Sequence, residues 1–123
     1  MLATSKLIAF AATADGARAR RFYEGTLGLR VLSDDSFALT VAANGTMLRI
    51  QKVGSFSPAA YTTLGWQVPD ILVAVRDLKR REVRLEFYPG MSQDELGIWH
   101  SPSGARVVWF KDPDGNILSV TQF

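Results

Sequence analysis

The 123-residue sequence predicts an α+β fold: two βαβββ modules in tandem, forming a curled sheet around a concave cleft. Three observations predict it. Strand-like and helix-like segments follow in one order, and then that order starts again. The two aspartates placed to cap helices, Asp15 and Asp70, stand 55 residues apart. Gly45 and Gly115 each close a turn just before a module's last strand, which sets Leu48 against Leu118, Arg49 against Ser119 and Ile50 against Val120. The chain reads as a single domain, with module one over about residues 1–54 and module two over about residues 61–123.

Each element has a local reason. Lys6 to Thr13 is an apolar strand. Asp15 is a helix N-cap, and Ala17, Ala19, Phe22, Tyr23 and Leu27 then recur at helical spacing. Gly28 ends that helix. A strand starts at Leu29 to Leu32, and Ser33-Asp34-Asp35-Ser36 is turn chemistry. Phe37 to Ala42 and Thr46 to Val53 form a hairpin about Asn44-Gly45. Gly54 to Ala60 reads as a loop. In module two, Thr62 to Val68 is a strand, and Ile71, Ala74, Val75 and Leu78 line one face of a helix behind Asp70. Lys79-Arg80-Arg81 suits the negative end of its dipole. Val83 to Tyr88 is strand-like until Pro89-Gly90 breaks it. Gly97 to Ser101 and Ala105 to Lys111 read as a hairpin, and Asp112-Pro113-Asp114-Gly115-Asn116 turns into Ile117 to Phe123.

Composition narrows the function. Hydrophobic residues are 47% of the chain, enough for a core without staples. Charged residues are 21%, which argues against disorder. There is no cysteine, so disulfides, thiolate nucleophiles and zinc-thiolate sites are excluded, and a reducing, cytoplasmic setting fits. The only histidine is His100. Leu7 to Ala12, the longest apolar run, is far short of the ~18 residues a membrane helix needs. A net charge of +2 is too mild to imply nucleic acid, and the basic runs Arg18 to Arg21 and Lys79 to Arg84 fall on the solvent faces of separate helices.

Arg21-Phe22-Tyr23-Glu24 with Leu27-Gly28-Leu29, then Trp66 to Ile71, then Phe110 to Asn116 form a specific combination. On these residues the chain resembles the vicinal oxygen chelate superfamily: glyoxalase I, extradiol dioxygenases, and the fosfomycin- and bleomycin-resistance proteins. The resemblance implies paired βαβββ modules and, usually, a homodimer. It also implies four metal-ligand positions, which carry over here to Ile8, Arg49, Thr63 and Ser119. Isoleucine cannot ligate, arginine is a fixed cation, and the two hydroxyls are weak donors where imidazole or carboxylate is wanted. The resemblance therefore implies a member lacking the usual metal ligands, with no metal or other cofactor expected.

Strand alternation lists the residues facing the cleft. Ile8, Phe10 and Ala12 face it from the first strand, and Met47, Arg49 and Gln51 from the fourth. Thr63, Gly65 and Gln67 come from the fifth, with Ile117, Ser119 and Thr121 from the last. Such a surface suits an organic ligand with an anionic or carbonyl group for Arg49 to clamp. The candidate ligand-binding residues are Arg49, Gln51, Thr63, Gln67, Ser119 and Phe10, with Trp99 and Tyr88 as a stacking pair. Plainer readings stand beside these. Arg49 can pair with Glu86 or Glu95, Gln51 can bond Gln67, and Trp99 and Tyr88 can be core or rim. Trp66 and Trp109 read as core. His100 reads as a hairpin histidine, with a catalytic base as the weaker candidate. The function expected is a metal-free, dimeric small-molecule-binding protein. The alternatives are a glyoxalase-like lyase or isomerase, or another, dioxygenase-related enzyme of the superfamily, with a non-standard or metal-free site, and a partner-binding module that has lost its site.

Overall fold

Alternation of apolar and polar residues along the strands gives each sheet one face to bury, and one helix buries it. The computed structural model describes residues Met1–Phe123 as two compact units, Met1–Pro58 and Ala59–Phe123. Each is a four-stranded sheet with one helical segment, the tandem βαβββ arrangement.

The first unit opens with a single 3-10 turn, Leu2–Thr4, and then runs β1 (Ile8–Thr13), α1 (Gly16–Arg20), β2 (Arg30–Asp34), β3 (Ala38–Ala43) and β4 (Thr46–Lys52). The sheet order is β1-β4-β3-β2, with β1 parallel to β4 and the other pairs antiparallel. The Asp15 carboxylate caps α1 by accepting from the Arg18 amide at 3.1 Å. The helix then widens into a π-helical turn, Arg21–Thr26, and Leu27 N–H donates five residues back to the Phe22 carbonyl at 2.8 Å. Gly28 ends it at φ 75°, left-handed backbone that favours glycine. Ala19 and Tyr23 are fully buried, as are Leu39, Val41 and Ile50, with Leu48 nearly so. Asn44 at φ 48° and Gly45 at φ 87° make the two-residue turn that Asn-Gly favours.

The second unit runs β5 (Thr62–Gln67), α2 (Ile71–Arg80), β6 (Trp99–His100), β7 (Arg106–Lys111) and β8 (Ile117–Gln122), in sheet order β5-β8-β7-β6. Asp70 caps α2 by accepting from the Leu72 and Val73 amides, and the Gln122 side chain accepts from the Ile71 amide at 2.9 Å. Ile71, Val75 and Leu78 are buried with Val108, Phe110, Leu118 and Val120. Burying side chains of this size is worth about 1.5–3 kcal/mol each. Trp66, half-buried, stacks on Phe110 at 6.4 Å. The Asp112 to Asn116 turn is structural. The Asp112 carboxylate, 5% exposed, accepts from the Asp114 and Asn116 amides and from the Asn116 side chain.

Two segments of the second unit depart from the expectation. Val83 to Tyr88 is not a strand; it touches β7 through one bridge, Leu85 to Phe110, and one hydrogen bond from Glu86 N–H to the Trp109 carbonyl. The side chain of Gln93 explains why. Its oxygen accepts from the Tyr88 amide at 2.8 Å, and its nitrogen donates to the Glu86 and Gly97 carbonyls at 3.0 and 2.9 Å. A side-chain amide thus satisfies backbone groups that a neighbouring strand would otherwise take. The expected Gly97–Ser101 strand shortens to Trp99–His100.

In the first unit, Lys52 spans from β4 to the β2–β3 turn. Its ammonium meets the Asp34 carboxylate and the Asp35 carbonyl, and Arg20 reaches Asp34 at 3.1 Å. Gly16 makes room: a Cβ there would lie 2.6 Å from Lys52 Cε. The Lys52 ammonium holds the Asp34 carboxyl below the usual carboxylate range; partial burial opposes this and Arg20 adds to it. A carboxyl held below its unfolded value stabilises the fold above that value, near pH 4, and the gain is lost as pH falls through the lower folded-state value. Asp34→Asn should therefore be less stable than wild type near neutrality, with the gap closing on acidification. Urea midpoints from pH 7 to pH 3 check this, and a gap that does not change with pH would contradict it.

Candidate functional site

The face of each sheet opposite its helix carries the candidate residues. In the first unit, register places Phe10, Arg49, Thr40 and Ser33 in one row across β1, β4, β3 and β2. Leu39, Val41, Leu48 and Ile50 point the other way, into the core, so this row lies on the open face. Phe10 is 52% exposed. Arg49 is partly buried and forms no ion pair or hydrogen bond; Glu86 is instead paired with Lys111 at 3.5 Å. Asp35 feels Arg49 only through space. Hydrogen bonds from the Ala38 and Phe37 amides hold its carboxyl low, and the fields of Arg49 and Lys52 add to this against slight burial. Gln51 lies one row along, between Ala12 and Ala38, and makes no side-chain hydrogen bond.

In the second unit, the corresponding row is Gly65, Ser119 and Trp109. The next row is Gln67, Thr121, Val107 and Trp99. Gly65 must lack a side chain, because a Cβ would meet Ser119 Oγ at 2.7 Å. Thr63 sits where the β5–β8 register slips, and its hydroxyl donates to the Ile117 carbonyl at 3.3 Å. Trp99 and Trp109 lie 6.0 Å apart between ring centres, and Tyr88 meets Trp109 edge-on at 5.8 Å. Trp109 is therefore not core. Val108 and Phe110 on either side of it are buried, so alternation sends Trp109 to the open face, where its indole N–H donates to Thr62 Oγ1 at 3.1 Å. Reading β7 as the neighbouring strands were read finds this residue. The Tyr88 hydroxyl is shut off from water and has no partner, and burial, followed by the charge of Glu86, pushes its pKa up.

His100 does not join this group. It is largely exposed, and its Nε2 lies 3.5 Å from Asp94. Burial pushes the Asp94 carboxyl up, but the Ile98 and Leu96 amides and then His100 bring it below the usual range. No three His, Cys, Asp or Glu residues lie close enough together to hold a metal ion. Nor is any helix long and apolar enough to cross a membrane.

No family model and no curated protein matches the sequence. Solved structures do. A member of the glyoxalase/bleomycin resistance protein/dioxygenase superfamily from Sphaerobacter thermophilus superposes with a TM-score of 0.73 at 25% identity, covering 100% of both chains. This chain has the fold of that superfamily. A lactoylglutathione lyase from Agrobacterium tumefaciens gives a TM-score of 0.73 at 15% identity, covering 97% of this chain and 93% of its own. An antibiotic binding protein from Streptomyces gives 0.71 at 22%, covering 99% and 98%.

The four positions at which the superfamily resemblance implies metal ligands hold Ile8, Arg49, Thr63 and Ser119. One has no donor atom, one is a cation, and the Thr63 and Ser119 hydroxyls are neutral oxygens, weak ligands where imidazole or carboxylate is wanted. These residues do not fit a divalent metal.

Gln93 is the residue that sequence reasoning passed over and that shapes the second open face. Replacing it with alanine removes three hydrogen bonds, two of which fix Glu86 and Tyr88. Gln93→Ala should cost about 1–3 kcal/mol. It should also speed hydrogen exchange at the Tyr88 amide beyond that of the sheet amides. Unchanged exchange there would show that the Pro89–Gly97 loop holds Tyr88 without it.

Proposed function

We propose that the protein is a metal-free binding protein for a small organic molecule that carries an anionic group. The observation that carries this reading is Arg49, an unpaired cation beside the exposed ring of Phe10, at a position where the superfamily's metal proteins would need a ligand. A partly buried guanidinium without a carboxylate is a ready acceptor site for an oxyanion, because its fork of N–H donors matches two oxygens at once. Aromatic rings at Tyr88, Trp99 and Trp109 add flat apolar surface on the other open face. The Streptomyces neighbour, an antibiotic binding protein of the same fold, supports binding as the kind of task. Gln51, Thr63, Gln67 and Ser119 would tune ligand fit. On the resemblance we propose a homodimer, and on the absence of cysteine a cytoplasmic setting.

The lyase neighbour favours a second reading, a glyoxalase-like lyase or isomerase with a non-standard site. That reading must draw its acid–base groups from residues such as His100, Glu86 and Glu95. His100 faces Asp94, and Glu86 is bound to Lys111, so these do not assemble.

Elemental analysis of protein purified without chelator should find near-zero divalent metal per chain. A panel of planar organic acids and their neutral analogues should bind with affinities measurable by calorimetry. Arg49→Ala should weaken the acids about tenfold or more and leave the neutral analogues alone. About one metal per chain, released only on unfolding, would sink the binding reading and promote the lyase.

A further inference from the structure

We infer that Thr40 is the second donor of an oxyanion subsite whose first donor is Arg49, and that the group held there is a carboxylate on an aromatic ring. The inference rests on the ligand-binding reading above and names the chemistry of its anionic end.

Thr40 is 2% exposed, and its hydroxyl is closed to water and has no hydrogen-bond partner. Buried polar side chains are nearly always paired, so an orphan needs a reason. Its surroundings supply one. Thr40 lies between Arg49 and Ser33 on the open face, and Leu39 and Val41 on either side of it turn into the core. Arg49 offers only N–H donors and no acceptor, so it cannot take the proton of the threonine hydroxyl. Two adjacent groups thus lack the same thing, an acceptor. A carboxylate supplies it: two oxygens accept from the guanidinium, and a remaining lone pair accepts from the hydroxyl. One fixed positive charge balances one negative charge. Asp35, an acid that feels the field of Arg49, is held by the Phe37 and Ala38 amides and does not pair with it. Phe10, on the far side of Arg49 in the same row, gives a ring a surface to lie on. Because the hydroxyl is occluded, the carboxylate reaches it only when a side chain turns aside.

The test uses 2-naphthoate and 2-naphthamide as probes, with affinities from calorimetry for the wild type, Thr40→Val, Thr40→Ser and Arg49→Gln. Wild type should prefer the acid. Thr40→Val should weaken the acid about five- to tenfold and leave the amide unchanged, the loss of one hydrogen bond to a charged group. Its thermal midpoint should match or exceed wild type by a few degrees, since it removes an unpaired buried hydroxyl. Thr40→Ser keeps the hydroxyl and should keep the affinity. Arg49→Gln should abolish the preference for the acid. If Thr40→Val binds the acid as wild type does while Arg49→Gln loses it, Thr40 is no donor, and the inference falls while the binding reading stands. Equal loss of acid and amide in Thr40→Val would overturn it too. If wild type shows no preference for the acid or binds neither probe, the carboxylate assignment is wrong. The binding reading then rests on the wider ligand panel.

Discussion

One helix can cover only one face of a four-stranded sheet, and the rest of this structure follows from that limit. Each unit has a single helical segment and a single mixed sheet. The covered face takes the apolar residues, and strand alternation then forces every second residue to the opposite face. Leu48 and Ile50 in the core dictate that Arg49 points away from it. Val108 and Phe110 dictate the same for Trp109. The residues proposed to bind ligand are those that stability alone had least reason to choose.

The most informative position is Arg49. In a metal site the positive charge is borrowed from solution, and the protein supplies anionic or neutral donors. Here the chain carries the positive charge itself, covalently and independently of pH across the physiological range. A cation at that place excludes a second one beside it by simple repulsion. It also attracts a negatively charged group directly. On the proposed function, the same position holds the ligand itself rather than the agent that polarises it.

Much of the fold was legible because its signals are local. Asp15 and Asp70 both cap helices, Asn44-Gly45 turns the hairpin, and Asp112 organises its own turn. What was not legible depended on side chains distant in sequence. Val83 to Tyr88 has the composition of a strand, but Gln93 reaches back to occupy its backbone groups, and no pattern in residues 83–88 announces that. The π-helical turn after Arg20 is likewise hidden, since the 3.6-residue spacing of apolar side chains survives it. Of the candidate site, Arg49, Phe10 and Gln51 were found by alternation along their own strands. Thr40 and Trp109 escaped because the inner strands β3 and β7 were not read face by face. For Trp109 the expectation that a tryptophan between valine and phenylalanine is core won over the period of two.

The two modules show where the chain has been free to diverge. Matched core and capping positions hold like residues: Asp15 and Asp70, Leu48 and Leu118, Ile50 and Val120. Matched open-face positions do not. Phe10 stands where the second module has Gly65, and Arg49 stands where it has Ser119. The core residues are constrained by packing, in which one methylene is felt. The open face carries no such constraint, so its chemistry can be specialised module by module: a cation and a hydroxyl on the first sheet, aromatic rings on the second. A scaffold built from two similar halves thereby offers two dissimilar surfaces.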